Sequence, residues 1–428
     1  MSAPVPPAGP ATPARHDPYG ALREPSFVRY LAGNVLSTFG QQMLTVAVGW
    51  EVYERTGSAL ALGTVGLVQV LPVLALALPA GQIADRFDRK RVLMISMLLA
   101  AAAALGLGIT SFRAGAVGWI YAWLFLTGVS RAFQGPAKGA MLPQVVTRER
   151  FENAVTWNSG GWQLAAVLGP AAGGAMIAFL HRAGDVYIAA AATALAFAAL
   201  LTGMQLAPVA RAAAGASLGA LAEGVRFVFR QKLVLATITL DLFAVLLGGA
   251  VALLPIFAKD VLHVGPGGLG LLRAADSAGA VVTALLLAHR PPLRRAGPTL
   301  LWAVAGFGAS IVVFGLSKSF PLSLAALFMT GAFDSISVVV RSTIVPLVTP
   351  EHMRGRVSAV NSMFISTSNE FGAFESGAVA QWLGPVASVV IGGIGTIVVV
   401  ACVALAWPAV RRLKSLSDVV VEGEAEAA

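Results

Sequence analysis

The amino-acid sequence predicts an all-α integral membrane protein with twelve transmembrane helices arranged as two six-helix bundles. Of its 428 residues, 57% are hydrophobic and only 12% are charged, whereas soluble domains carry about 25% charged residues. Long apolar runs recur along the chain, and twelve spans of about 20 residues need about 240 residues. The runs are continuous rather than ten-residue alternations, which favours helices over a β-barrel.

The apolar runs form two sets of six. The first set lies at about 27–52, 59–81, 91–112, 117–139, 152–180 and 185–207, and the second at about 233–258, 267–289, 297–317, 320–343, 356–382 and 384–409. The chain is therefore expected to divide into a cytoplasmic N-terminal tail, a first bundle, a cytoplasmic linker, a second bundle and a cytoplasmic C-terminal tail. The predicted bounds of these five segments are 1–26, 27–207, 208–232, 233–410 and 411–428.

The linker contains a short amphipathic pattern. Leu218, Leu221, Val225 and Phe229 recur at helical spacing, and charged residues lie between them. This spacing predicts a helix that lies along the inner membrane surface.

The distribution of cations predicts the topology. With the N-terminus inside, the outer loops hold five of the 30 Lys and Arg residues, two lie within spans, and the other 23 lie in cytoplasmic segments. The five outer cations are Arg55, Arg113, Arg182, Lys259 and Lys318, and the two within spans are Arg131 and Arg273. Cytoplasmic loops of membrane proteins carry such an excess, so both termini are expected in the cytoplasm.

Several function classes are disfavoured by the sequence. The net charge of +9 is spread over membrane loops, and no basic soluble domain is apparent that would bind nucleic acid. The single cysteine, Cys402, lies in the last apolar run and cannot form a disulfide or a Cys-based metal site within the chain. The first 26 residues do not resemble a cleaved signal peptide. We find no phosphate-binding loop, H-E-x-x-H or G-x-S-x-G element, so we expect neither an enzyme nor a cofactor or metal site.

A highly charged loop follows the second apolar run. Gly81, Asp85, Arg86, Arg89 and Lys90 match a G-x-x-x-D-R-x-G-R-K pattern, which resembles the loop between the second and third helices of major facilitator superfamily transporters. The resemblance implies the major facilitator fold, and it implies that Asp85 and Arg89 latch the two halves together on the cytoplasmic side. The alternative is a loop whose cations only set the topology.

This loop departs from the superfamily pattern at one position. Asp88 stands where the pattern usually has glycine, which questions whether the tight turn that glycine allows is present.

The fourth run carries a charge near its middle. Arg131 and Gly135 fit the superfamily's R-x-x-x-G element, and Gln134 and Lys138 share the helix face of Arg131. A charge at mid-span costs about 2.5–3.5 kcal/mol on insertion scales, so Arg131 is expected to face a central cavity. It would there bind an anionic group or tune a carboxylate; a structural ion pair or snorkelling to the inner surface is the alternative.

The fifth run contains Gly169, Pro170, Gly173 and Gly174 in the order G-P-x-x-G-G. This order resembles the end of the superfamily's antiporter motif, which implies export by exchange. Proline removes a backbone donor and bends the helix, and the glycines permit close helix contact. Ordinary packing of small residues is the alternative.

Other polar residues within spans are candidates for the substrate or proton pathway. Asn34 and Gln41 belong to a polar stripe on the first helix, which either lines the cavity or makes interhelical hydrogen bonds. Asp241, Asp334 and Glu370 are the favoured carboxylates of the second half, and their order of importance stays open. Arg273 and Asp276 lie three residues apart, so a local ion pair is expected between them.

The two halves carry a faint internal repeat. At an offset of 203 residues, Gly169 matches Gly372 and Gly174 matches Gly377. A parallel repeat of six helices is typical of transporters that hold their substrate between two bundles near the membrane midplane.

The resemblance covers about residues 27–410, and within the superfamily the chain looks most like the bacterial enterobactin-exporter and drug-efflux branch. It implies a monomer in the bacterial inner membrane that exports a small molecule in exchange for protons, with the lipid bilayer around it. Uptake by the same fold, or a membrane sensor or scaffold that transports nothing, are the alternatives.

Overall fold

The computed structural model describes residues 17–204, 206, 218–290 and 295–413. Most of the predicted N-terminal tail, linker residues 207–217 and the C-terminal tail beyond 413 lie outside the described residues. The side chain of Asp85 also lies outside the described part of the structure, although its backbone belongs to a helix.

The described residues fold into helices joined by short turns. The principal helices are α1 (Pro25–Thr56), α2 (Ala59–Arg86), α3 (Arg89–Phe112), α4 (Val117–Met141), α5 (Phe151–Leu180), α6 (Ala183–Thr202), α7 (Leu218–Arg230), α8 (Lys232–Leu247), α9 (Gly265–Ala288), α10 (Ala296–Leu316), α11 (Phe320–Leu347), α12 (Glu351–Leu383), α13 (Pro385–Ala406) and α14 (Pro408–Arg412). Apart from α7, α8 and α14, these helices coincide with the predicted apolar runs to within about five residues.

Nine segments of the described chain are long and apolar enough to cross a membrane. The helices α1, α4 and α12 do not belong to this set, although each is at least 25 residues long. Each carries charged side chains along its length: Glu51 on α1, Arg131 on α4, and Glu370 with Glu375 on α12. These three helices therefore bring ionisable groups into the interior of the helix assembly.

Local sequence explains where several helices begin and end. Pro25 occupies the first turn of α1, where its missing N–H is not needed. Gly57 ends α1 with a φ of 59°, a left-handed conformation that glycine adopts at little cost. Ser58 then caps α2 by accepting a hydrogen bond from the Ala61 N–H at 3.2 Å.

The seventh apolar run is not one regular helix. After α8 the chain forms a 3-10 turn at Gly249–Leu253, a short α turn at Leu254–Ile256 and a π turn at Phe257–Val261. The sequence predicted a continuous run to about residue 258. Gly248 and Gly249 interrupt it because glycine is a poor helix former, and Pro255 lacks the backbone N–H that a continuing helix needs.

Helix α7 was expected from the linker pattern, and its described residues form a helix that packs on α8 and α12. Val228 is buried between them and Glu223 forms an ion pair with Arg356 at 2.5 Å. The buried face of α7 thus contains Val228, whereas Phe229 of the predicted apolar face is 63% exposed, so that part of the prediction was wrong.

The helices fall into two sets by their contacts. The N-terminal helices α1–α6 pack mainly on one another, as do the C-terminal helices α8–α13. The broadest contacts between the two sets are α2 with α12 and α5 with α9. We call the face that contains the α2–α3 turn and Leu413 the terminal face, and the face that contains the α1–α2 turn the opposite face.

The hydrophobic core is continuous at one face and divided at the other. At the opposite face, a single cluster of buried side chains joins the two sets, from Met43 and Leu107 on one side to Phe257 and Phe314 on the other. Near the terminal face the buried residues form one cluster in the N-terminal helices and two separate clusters in the C-terminal helices. The assembly is therefore packed shut at the opposite face and parted at the terminal face.

Candidate functional site

An ion pair joins the two sets of helices where their packing ends. Arg131 on α4 lies 3.7 Å from a carboxylate oxygen of Glu370 on α12, and the side chains are 43% and 24% exposed. Arg131 also donates a hydrogen bond to the side-chain oxygen of Gln69 on α2 at 3.2 Å. Gly66 leaves room for Glu370, because a Cβ at Gly66 would lie 2.6 Å from a Glu370 carboxylate oxygen. A loose, partly solvated pair of this kind contributes little stability and can be exchanged for other partners.

The charges continue from Glu370 into the C-terminal helices. Arg273 on α9 lies within electrostatic range of both Glu370 and Asp276. Asp276 in turn lies close enough to Asp334 on α11 for their charges to interact. The local pair expected between Arg273 and Asp276 is thus part of a larger network.

At its far end the network contains a buried ion pair between Asp241 on α8 and Arg341 on α11. These two residues are only 6% and 9% exposed. Asp334 lies within electrostatic range of both residues. Asp241, Asp334 and Ser337 line one small cavity together with Phe307 of α10. Among the described residues, the network holds the three arginines Arg131, Arg273 and Arg341 and the four carboxylates Asp241, Asp276, Asp334 and Glu370.

The other predicted pathway residues, Asn34, Gln41 and Gln134, lie on the N-terminal helices α1 and α4 and make hydrogen bonds there. Asn34 is buried and donates a hydrogen bond to the Asn158 side chain of α5 at 2.9 Å. Gln134 donates to the Ser130 hydroxyl at 2.8 Å. Gln41 is half-buried, and its backbone carbonyl accepts a hydrogen bond from Thr45. The structure thus brings Arg131, Asp241, Asp334 and Glu370 into one network and gives Asn34 and Gln134 partners outside it.

The predicted latch loop lies at the terminal face. Arg89 donates to the Ala140 carbonyl at 3.3 Å, and Lys90 donates to the carbonyls of Thr202 and Met204 at 3.0 and 2.9 Å. Gly81 is half-buried within α2, and Arg86 is exposed in its last turn. In this state Arg89 and Lys90 are therefore bound to their own set of helices.

Asp88 has a defined role in the α2–α3 turn. It has a φ of −62° and its carboxylate accepts a hydrogen bond from the Lys90 N–H at 2.9 Å, so it is the N-cap of α3. Because this φ is ordinary for any residue, the turn does not require glycine.

The glycines of α5 make close helix contacts on two sides. A Cβ at Gly173 would lie 2.9 Å from Met43 Cα of α1, and one at Gly174 would lie 2.8 Å from Gly270 Cα of α9. The matching contact in the second half is Gly377 of α12, where a Cβ would lie 2.9 Å from Gly63 Cα of α2. Gly169 contacts α1 and Pro170 contacts Gly270. The sequence repeat of Gly174 and Gly377 thus appears as the two glycine contacts that join the sets.

Sequence reasoning missed a polar cluster at the opposite face. The Tyr53 hydroxyl forms a hydrogen bond with Asp260 in the π turn, and the Lys259 ammonium lies 5.7 Å from the centroid of the Tyr53 ring. The Ser58 hydroxyl also donates to the Gln381 side chain at 3.1 Å. These residues lie at helix ends, far apart in sequence, and no spacing pattern connects them. Asp260 and Lys259 lie in the π turn, and π turns within helices are frequent at functional sites.

Known proteins resemble this chain over nearly its whole length. A family model described as transmembrane secretion effector matches residues 16–421. The multidrug efflux pump Tap of Mycobacterium tuberculosis (strain ATCC 25618 / H37Rv) is 28% identical over 409 residues, which cover 91% of this chain and 95% of Tap. The enterobactin exporter EntS of Citrobacter koseri is 25% identical over 391 residues, which cover 91% and 94% of the two chains.

Solved structures share the fold. A bacterial homologue of the human lysosomal transporter Spinster, in an inward-facing and occupied conformation, superposes with a TM-score of 0.72 at 14% identity and covers 92% of this chain and 99% of its own. A peptide transporter POT in complex with sulfate gives a TM-score of 0.68 at 13% identity. The chain belongs to the transmembrane secretion effector family of the major facilitator superfamily, and it is a multi-pass membrane transporter rather than an enzyme.

Proposed function

We propose that this transporter exports a small organic molecule from the bacterial cytoplasm in exchange for protons, by alternating access. The helices α1–α6 and α8–α13 act as two six-helix bundles, which gives the protein twelve spans. It works as a monomer in the inner membrane. We keep the bounds of the tails, bundles and linker that the sequence predicts. The observation that carries the proposal is the Arg131–Glu370 ion pair, which links the two bundles at the point where their packing ends.

The orientation follows from the cations. Because the sequence assigns 23 of the 30 Lys and Arg residues to segments on one side, we assign the terminal face and both chain termini to the cytoplasm. The parted terminal face then corresponds to a state that is open to the cytoplasm. In this state an exporter takes up its substrate.

The ion pair is suited to couple ligand binding to closure. A proton on Glu370, or a substrate group that binds Arg131, removes the attraction between α4 and α12. A ligand shifts a conformational equilibrium only through its different affinity for the two states. Arg131–Glu370 supplies such a difference, because its two members belong to different bundles.

The charged α2–α3 loop acts when the terminal face is closed and the opposite face is open. We assign Asp85 and Arg89 to a latch that forms when the terminal face closes. Lys90 then serves as an anchor that holds the start of α3 against the end of α6, as it does in the open state. The glycine contacts of α5 with α9 and of α2 with α12 form the packed joints that separate when the opposite face opens.

The substrate class is drawn from the relatives. Tap is named a multidrug efflux pump and EntS an enterobactin exporter, so we propose a drug-like compound or a siderophore as the cargo. The partly exposed Arg131 offers a cation to acidic groups of such molecules.

Everted membrane vesicles test the function. The full-length chain is expressed, a proton gradient is imposed, and accumulation of ethidium and of a catecholate siderophore is followed as two separate probes. We expect gradient-dependent accumulation of at least one probe and its loss in Glu370→Gln. The matched control is Glu375→Gln, which removes a half-buried carboxylate of the same helix that lies beside Ser376. Accumulation in intact cells instead of vesicles, or equal activity of Glu370→Gln and wild type, would contradict the proposal.

A further inference from the structure

A groove on the outer surface of the C-terminal helices lies where α10, α13 and α14 meet. It has a volume of about 320 Å³ and is lined by Pro298, Leu301, Trp302, Ala305, Val400 and Arg411. Apart from Arg411, these side chains are all apolar, and none of them belongs to the ion-pair network between the bundles. The groove is therefore a separate candidate site, suited to an amphiphile with an apolar part and a negative charge.

The groove faces the membrane. Trp302 is 77% exposed, and it lies on α10, which is long and apolar enough to cross a membrane, as is α13. Neither α10 nor α13 contains a charged residue. A large side chain exposed on such a helix is surrounded by lipid, and tryptophan is enriched where the hydrocarbon meets the headgroups. The bilayer is therefore what covers the groove.

The groove extends from the terminal face into the hydrocarbon region. Helix α10 begins at Ala296, and the next residue, Gly297, donates a hydrogen bond to the Leu413 carbonyl of the terminal face at 3.2 Å. From Pro298 to Ala305 the groove follows one face of α10, and a rise of 1.5 Å per residue makes this interval about 10 Å long. The groove is thus long enough for the upper part of an acyl chain.

Helix α14 is fixed across the start of α10. A Cβ at Gly297 would collide with the Val410 carbonyl, so the two backbones are in direct contact there. Val410 is buried in the same hydrophobic cluster as residues of α10 and α13. Because its neighbour Val410 is held in this way, Arg411 is positioned at the end of the groove that lies nearest the terminal face.

The charges around the groove favour an anion. Helices α10, α13 and α14 contain no acidic residue. Arg411 is exposed, and within the described part of the chain it forms no ion pair. A guanidinium recognises phosphate through charge-assisted hydrogen bonds. A phosphate group beside Arg411, attached to a chain that follows α10, would match both the charge and the apolar wall.

We propose that this groove binds one phospholipid with an anionic headgroup. Its phosphate lies at Arg411, and one acyl chain lies along α10 beside Trp302. The lipid belongs to the leaflet on the side of the terminal face. This inference goes beyond the proposed function, since it depends neither on the cargo nor on protons. A lipid bound here contacts α10, α13 and α14 together and stabilises the end of the C-terminal helices by its binding free energy.

Native mass spectrometry of the full-length protein tests the headgroup. The protein is released from micelles that contain equal amounts of phosphatidylglycerol and phosphatidylcholine with identical chains. We expect phosphatidylglycerol to bind about fivefold more tightly, which corresponds to about 1 kcal/mol, the contribution of one cation near an anionic membrane surface. Equal binding of the two lipids by the wild type would overturn the proposal.

Two arginine variants locate the preference. Arg411→Gln should lose it, whereas Arg412→Gln should keep it, because Arg412 is an exposed neighbour that does not line the groove. An unchanged preference in Arg411→Gln, or an equal loss in Arg412→Gln, would contradict a site at Arg411. An excess of inorganic phosphate should leave the preference intact, and its disappearance would indicate a site for free phosphate instead of a lipid.

The apolar wall has its own test. Ala305→Trp fills the groove and leaves Arg411 in place, so it should weaken the binding of both lipids. Val313→Trp is the matched control, because Val313 is an exposed residue of the same helix outside the groove. Equal lipid binding by these two variants would show that no acyl chain occupies the groove.

Fluorescence quenching provides a test that needs no arginine variant. Phosphatidylglycerol or phosphatidylcholine with brominated chains is added at the same low fraction to phosphatidylcholine nanodiscs, and the Trp302 signal is taken as the difference between wild type and Trp302→Phe. We expect stronger quenching of Trp302 by the brominated phosphatidylglycerol. Equal quenching by both lipids would overturn the proposal. These measurements use no cargo and no gradient, so their outcome is independent of the vesicle assay.

Discussion

Arg131 and Glu370 lie on helices of different sets and meet at 3.7 Å. On the opposite-face side of this pair the two sets share one hydrophobic core, and on the terminal-face side their cores are separate. The pair therefore marks the boundary between the closed and the open part of the transporter. The predictions below follow from that position.

Exchanging the two charges should preserve transport better than removing either one. We expect Arg131→Glu and Glu370→Arg to lower proton-driven export of the transported probe about tenfold each, which corresponds to about 1.4 kcal/mol of coupling. The double variant should recover part of that loss, because the ion pair is restored in reverse. Losses that simply add in the double variant would argue that the two residues act separately.

A disulfide across the opposite face should lock the transporter. A Cβ at Gly267 of α9 would lie 3.5 Å from the Ala178 Cβ of α5, within the Cβ separation that disulfides adopt. In a Cys402→Ser background, Ala178→Cys with Gly267→Cys should cross-link on oxidation and stop export, and reductant should restore export. Full activity of the cross-linked protein would show that this contact never opens.

The Tyr53–Asp260 hydrogen bond should help to hold the opposite face closed. Bonds to charged groups contribute about 1.5–3 kcal/mol, so Tyr53→Phe should slow formation of that disulfide by about tenfold. Tyr121→Phe is the matched control, because the Tyr121 hydroxyl donates to the Ala61 carbonyl within the N-terminal helices at 2.9 Å. Equal cross-linking rates in both variants would remove Tyr53 from the closing contacts.

Asp88 should stabilise the protein as a helix cap rather than as part of a charge cluster. Asp88→Ala should cost about 1 kcal/mol of stability, whereas Asp88→Gly should cost only a few tenths. Thermal unfolding of the purified protein measures both. A larger loss for the glycine variant would indicate that the cap is unimportant and that backbone flexibility dominates.

The helices were predictable from sequence because each depends on a local property. Apolar runs of spanning length, Pro25, Gly57 and similar end signals fix most helix bounds to within a few residues. The break after α8 escaped prediction because Gly248, Gly249 and Pro255 lie inside an otherwise apolar run. Helix propensity is only a weak preference, so these three residues did not by themselves predict the break.

The sequence indicated which residues are candidates for the site, but not which of them pair with one another. A charge within a span must find a partner or water, and this singled out Arg131, Asp241, Asp334 and Glu370. Their partners depend on which helices touch. Spacing favoured a local pair for Arg273 with Asp276, yet Arg273 also interacts with Glu370 on another helix. The capping role of Asp88 was also not predicted. An N-cap is recognised only when the first residue of the helix is known, and the predicted run began at about residue 91 rather than at Arg89.

Distances across the two faces test the central claim of alternating access most directly. Spin labels are attached at cysteines replacing Arg91 and Arg354 at the terminal face, and Leu180 and Trp382 at the opposite face, in a Cys402→Ser background. Pulsed electron resonance then measures both distances in nanodiscs over a pH series. The account predicts two populations whose proportions change with pH, the terminal distance shortening as the opposite distance lengthens. A single population at every pH, or two distances that change in the same direction, would contradict it.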